Sequence, residues 1–210
     1  MDRAAASADR ARSGVFALRR FVYPPPERCE LCRASLPAEH AHLLEVKSST
    51  LRCACKPCLE ENGGDGGEFL QVHPRKEKLR SFGMSDAEWN AFQIPIDLAF
   101  LVRGKNALLA LYPGPAGMIR SMPNIDAWED VAARNPVLRE LAPDVEALLV
   151  NRVRGRKDAY RVSIDHCYAL GGIIRSQWHG LSGGSEVWDA IEDYFAEHGP
   201  RAAGTRVGHA

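Results

Sequence analysis

Between Cys29 and Cys58 the chain reads CELCRASLPAEHAHLLEVKSSTLRCACKPC, a span holding five of its six cysteines and two of its seven histidines. Two CxxC pairs, Cys29/Cys32 and Cys55/Cys58, are separated by 22 residues. A CxxC turn sets two thiolates on one side of a tight knuckle, with backbone amides aimed at the sulfurs. Two knuckles brought together make a tetrahedral four-sulfur site, with metal–sulfur distances of about 2.3 Å for zinc. The spacing is close to that of a zinc ribbon.

Five thiols compete for four places, because Cys53 turns the second half into C-x-C-x₂-C. The preferred ligand set is Cys29, Cys32, Cys55 and Cys58. Cys53 is a possible substitute, at the expense of a wider loop between it and Cys58. His40 and His42 lie between the halves, and either can replace a sulfur. Tetrahedral thiolate suits zinc or iron. Rubredoxin-like knuckles favour Pro and Gly beside the cysteines, and CELC has neither. Zinc is therefore expected, in a structural role, with iron as the alternative. Thiols without metal are the plain rival reading. Cys167 stands apart on the apolar stripe of a helical stretch and reads as a small core residue.

Positioning those thiols requires a folded domain, and the composition allows one. The chain has 210 residues, 45 % hydrophobic and 26 % charged, with 27 basic and 27 acidic side chains and no net formal charge. A balanced charge leaves no basic footprint for nucleic acid. No apolar run approaches the roughly 18 residues of a spanning helix. The start, MDRAAASADRARSGVFALRRF, does not read as a secretory signal. A cytoplasmic protein follows, and in that reducing compartment clustered cysteines read as metal ligands rather than disulfides.

The pattern divides the chain into four parts. Residues 1–27 are a disordered stretch or short helix and a proline linker, YPPPE. Residues 28–62 are the cysteine module, with a hairpin of two short strands turning at Lys47–Thr50. NGGDGG breaks the chain before an α+β domain at 68–198, and 199–210 form a flexible tail. In the larger domain EFLQVHP reads as a strand and RKEKLR as a solvated basic turn. Ser85 opens a helix through a capping box with Glu88. The apolar runs 96–104 and 106–114 form a buried antiparallel hairpin, and GPAGM (114–118) reads as loop. Further helices follow at IDAWEDVAARNP, from Asp165, and at 185–198; VEALLVNRV and YRVSI are strands. The expected fold is α+β: a small zinc-ribbon-like module, then an antiparallel sheet packed with three or four helices.

Other candidate chemistry is thinner. Asp165 and His166 open a helix, where Asp165 suits an N-cap. His179 ends that helix, and RVRGRKD (152–158) is basic enough to meet phosphate or to be a charged turn. GLSGG lacks the lysine of a phosphate loop.

Taken together, CELC…EHAHLLE…LRCACKPC, AEWNAFQIPIDLAFL, LALYPGPAG, DAWEDVAARNPVLREL, DVEALLVNRVRG and IDHCYALGGIIRSQWHGLSGGSEVW resemble a bacterial family. That family is encoded among the accessory genes of actinobacterial-type, oxygen-tolerant nickel–iron hydrogenases. The likeness spans about residues 21–198. It implies a setting, hydrogenase assembly or support, and carries over no catalytic residue. The expected function is therefore that of a non-enzymatic, metal-binding accessory or assembly factor. It would work by protein–protein interaction with a hydrogenase subunit or maturation factor. A rubredoxin-like electron-transfer or metal-delivery protein is the alternative. A zinc-ribbon nucleic-acid binder comes third, with Lys47, Lys56, Arg75, Lys76, Lys78 and Arg80 on the phosphates.

Overall fold

The computed structural model describes residues 27–64, 66–104, 107–115, 117–180 and 184–198. Apart from Glu27, the expected N-terminal helix and proline linker lie outside the described residues, as does the tail. The class is α+β, with two antiparallel sheets and several helices.

The cysteine-rich part begins with a tight turn around Cys29–Cys32 and continues into a hairpin. Its strands are β1 (Ala41–Glu45) and β2 (Thr50–Ala54), turning where the sequence predicts. Helix α1 (Lys56–Asn62) follows at once, with Cys55 as its N-cap and a proline in its first turn, where the missing N–H costs nothing. Across the glycine-rich stretch, β3 (Phe69–Val72) returns to the free edge of β1. The small sheet thus runs β2-β1-β3.

The large sheet has six strands: β4 (Lys76–Lys78), β5 (Leu98–Arg103), β6 (Leu108–Gly114), β7 (Gly117–Ser121), β8 (Glu146–Asn151) and β9 (Asp158–Ser163). Their spatial order is β4-β9-β8-β5-β6-β7, and every pair is antiparallel. The near-continuous apolar runs follow from burial on both faces. Along β5, Leu98, Phe100 and Val102 face one core while Ala99 and Leu101 face the other. The first core is closed by α4 (Asp165–Gln177) and α5 (Gly184–His198), through Cys167, Leu170, Ile174, Val187, Ile191 and Phe195. The second is closed by α2 (Asp86–Ala91), α3 (Ile125–Arg134) and a 3₁₀ turn at Pro136–Glu140. The capping box at Ser85 is present in full, the hydroxyl accepting from the Glu88 amide and the Glu88 carboxylate from the Ser85 amide.

Two stretches differ from their sequence reading. RKEKLR is not only a turn: Lys76–Lys78 pair with Tyr160–Val162 as an edge strand. GPAGM is not loop throughout, since β7 starts at Gly117 and pairs with β6. Both are sheet edges whose charged or mixed side chains carry no apolar alternation, which is how edges discourage further pairing.

The small sheet is fastened to the large one. Leu44 of β1 and Val72 of β3 are buried in the α4/α5 core. The Tyr168 hydroxyl on α4 donates to the Ser49 carbonyl at 2.5 Å, and Arg120 on β7 reaches the same carbonyl at 3.5 Å. No helix among the described residues is long and apolar enough to cross a membrane.

Candidate metal centre

Three segments meet at the cysteines. In the first, the Cys29 amide donates to the Ala34 carbonyl and the Arg33 amide returns to the Cys29 carbonyl, each at 2.8 Å. This closes a tight turn, in which Arg33 takes a positive φ of 68°. The second segment, the end of β2, is bolted to that turn by Glu30. Its amide donates to the Cys53 carbonyl at 2.9 Å and its carboxylate accepts from the Cys53 amide at 2.7 Å. Arg52 adds charge across the joint, reaching Glu45 at 2.8 Å and Glu30 at 3.4 Å. The third segment is the start of α1, where Cys55 caps the helix and Cys58 is buried one turn on. The second CxxC pair is thus a helix start, not a free knuckle.

The thiols of Cys29, Cys32, Cys55 and Cys58 all lie within 4.8 Å of one another. Cys32 Sγ and Cys55 Sγ are 3.6 Å apart. A tetrahedron with zinc–thiolate arms of about 2.3 Å has edges of about 3.8 Å, so this separation fits one shared ion. Cys29 and Cys58 are buried, Cys55 is half-buried and Cys32 is exposed. Leu36 closes the inner side.

The electrostatics agree with a cation-binding cluster. Burial alone raises the Cys29 thiol, but amides of Cys32, Cys55 and Leu31 aimed at its sulfur outweigh this and hold it down to about 6. For Cys32 the Ala34 amide pulls downward, yet the neighbouring Cys29 and Cys55 sulfurs leave it raised. Cys58 is pushed up strongly by Cys32 and Cys55, with burial adding to the effect. Thiols packed together resist ionising together, and a divalent cation removes that resistance.

Cys53 is not among the four. Its sulfur groups instead with His40 and His42, again within 4.8 Å of one another. The hairpin register explains this, since His42 and Cys53 are directly opposed across β1 and β2. Burial and the charges of Glu27 and Glu30 raise the Cys53 thiol.

Sequence reading missed Asp165 at this end of the molecule. It is not the N-cap of α4; Ile164 is. Its carboxylate lies 3.6 Å from His42 Nδ1. Burial raises that carboxyl, but hydrogen bonds from His42 and Ser163 and the charge of His166 leave it below its ordinary range. Nothing in the sequence links positions so far apart.

The remaining candidates have structural partners. His166 Nδ1 is 2.5 Å from the Tyr194 hydroxyl, and His179 is exposed with Glu186 at 3.9 Å. In the basic turn, Arg152 pairs with Asp86, Arg154 with Glu192 and Arg156 with Asp158. Cys167 is buried in the apolar core, as expected, and its thiol is held strongly protonated by burial. GLSGG falls mostly outside the described residues.

No curated protein and no solved structure matches the chain. One family model does, and the segment it covers opens one residue before Cys29 and takes in the four-cysteine group, the His40–His42–Cys53 group, both sheets and the five α-helices of the described residues. By that match over residues 28–202, the chain belongs to the family of unknown function DUF5947.

Proposed function

We propose that the protein is a metal-binding accessory factor. Cys29, Cys32, Cys55 and Cys58 hold one structural zinc ion, and the ordered module presents a surface to a protein partner in the cytoplasm. The observation that carries this reading is the convergence of four thiols from two segments, the Cys29–Cys32 turn and the start of α1, to within 4.8 Å. Few apolar side chains surround that cluster, so a metal is the natural staple for it. Zinc is preferred over iron because CELC lacks the flanking residues of rubredoxin-like knuckles and the second pair opens a helix.

The partner, by the family resemblance of the motifs, is a nickel–iron hydrogenase subunit or one of its maturation proteins. Val46, Ile119 and Met122 are the exposed large apolar side chains among the described residues. Val46 lies in the β1–β2 turn, Ile119 on the β7 edge and Met122 just after it, and that turn and edge are linked by the Arg120–Ser49 contact. A nucleic-acid role is less well supported, since Lys56, Arg75 and Lys78 lie near Glu60, Glu146 and Asp158. Exposure of Cys32 favours one rival, iron in the same site passing electrons at the surface.

Affinity capture of the tagged chain from its native host, paired with metal analysis, tests the reading. Hydrogenase components in the eluate and a zinc equivalent lost in Cys29→Ser support it. A red sample that bleaches with dithionite transfers the site to electron transfer. Capture of no hydrogenase component removes the proposed setting.

A further inference from the structure

We propose that His40, His42 and Cys53 form a second metal site, separate from the four-cysteine cluster, which takes a divalent transition cation of the zinc class. The inference does not depend on the accessory role. Three ligand atoms, one from each residue, lie within 4.8 Å of one another. Register places them there: His42 opposes Cys53 across the hairpin, and His40 is two positions before His42, on the same side of the extended chain.

An independent observation points to a ligand. The His40 side chain is only 6 % exposed. Its Nδ1 lies 3.0 Å from the Pro37 carbonyl, which can only accept, so that nitrogen carries the proton. The other nitrogen, Nε2, is then a bare lone pair, and it is buried with no hydrogen-bond partner. Burying an unsatisfied acceptor is unfavourable. A cation bound on that lone pair, shared with the neighbouring sulfur and imidazole, relieves it. His42 has the complementary arrangement, its Nδ1 facing the Asp165 carboxylate at 3.6 Å. Metal-bound histidines characteristically turn their second nitrogen to a carboxylate or carbonyl, which fixes the tautomer and strengthens the ligand. Here His40 turns its Nδ1 to the Pro37 carbonyl and, at 3.3 Å, the Glu27 carboxylate, and His42 turns its own to the Asp165 carboxylate.

Two nitrogens and one thiolate suit zinc and its neighbours rather than magnesium or calcium. Three protein ligands leave a fourth position for water or an incoming ligand, whereas four thiolates close the first site. The second site is therefore the exchangeable one, suited to taking up and releasing a cation beside a permanent staple.

The test is titration of the chelator-stripped, reduced full chain with Zn²⁺ and, in parallel, Co²⁺. The wild type should bind two equivalents. The tighter Co²⁺ equivalent should show the strong charge-transfer absorption of four thiolates. The weaker one should add roughly a quarter of that increment, in keeping with its single thiolate. His42→Gln and Cys53→Ser should each lose the second equivalent and keep the first. Asp165→Asn, outside the ligand set, should weaken only the second, by about 10–100-fold. His42→Gln leaves every cysteine in place, and its retained first equivalent reports an intact module. One equivalent in the wild type, or a second that survives both His42→Gln and Cys53→Ser, overturns the proposal. Loss of the four-thiolate signal with the single-thiolate signal intact would sink the structural-zinc reading and leave this one standing.

Discussion

Cys53 and Cys55 are two residues apart, yet they belong to different groupings. Spacing counts the thiols without showing how they divide, so Cys53, His40 and His42 read from sequence as substitutes within one site. The division is set by cross-strand register and by α1 starting at Cys55, neither of which a cysteine count contains. The four-thiol site also has a proton signature. At pH 7 Cys29, held down to about 6, is already a thiolate in the metal-free chain, while Cys32 and Cys58 are raised and protonated. Zinc binding should therefore release two or more protons in weakly buffered solution. Because protons compete with the metal for the same sulfurs, affinity should fall as pH falls. Isothermal titration in buffers of different ionisation enthalpy reads the proton count. Release of fewer than two would contradict the charge distribution described.

At the scale of elements, the best-read pieces were those with strong local signals. The capping box at Ser85, the buried β5–β6 hairpin and the apolar stripes of α3, α4 and α5 each carry periodicity or a cap in a few consecutive residues. The edge strands β4 and β7 do not, nor does the choice of β3 to extend the small sheet, which depends on the exposed edge of β1. Ser85→Ala should cost about 1 kcal/mol by loss of the cap. A larger effect belongs to β8. The Glu146 carboxylate is 8 % exposed and accepts from Arg161 at 2.6 and 2.9 Å, from the Ala142 amide at 2.8 Å and from Arg75 at 3.2 Å. Removing its charge leaves the Arg161 guanidinium buried and under-compensated. Glu146→Gln should therefore destabilise by about 3 kcal/mol, the low end for a broken buried pair, because Glu140 still holds Arg161. Urea unfolding of both variants gives the comparison; equal midpoints for Glu146→Gln and wild type would mean that the pair contributes nothing net.

For the molecule as a whole, the question is how far the influence of a metal bound at the four thiols would extend. The small sheet is secured at two ends by different forces. At the cysteine end few apolar residues are buried, so a metal held by the four thiols would supply the order there. At the other end Leu44 and Val72 enter the α4/α5 core, and Tyr168 holds the β1–β2 turn through the Ser49 carbonyl. These ends should respond separately, because local opening follows local contact density. Chelation should release amides of residues 29–36 and 55–62 to rapid hydrogen exchange, while β5 and β8 remain protected. Tyr168→Phe should do the reverse, loosening residues 46–50 by about 1 kcal/mol and leaving the metal-bound segments slow. If chelation instead brought β5 and β8 to the same exchange rate as the cysteine segments, module and sheet would be one cooperative unit. The metal would then stabilise the entire fold rather than one corner of it.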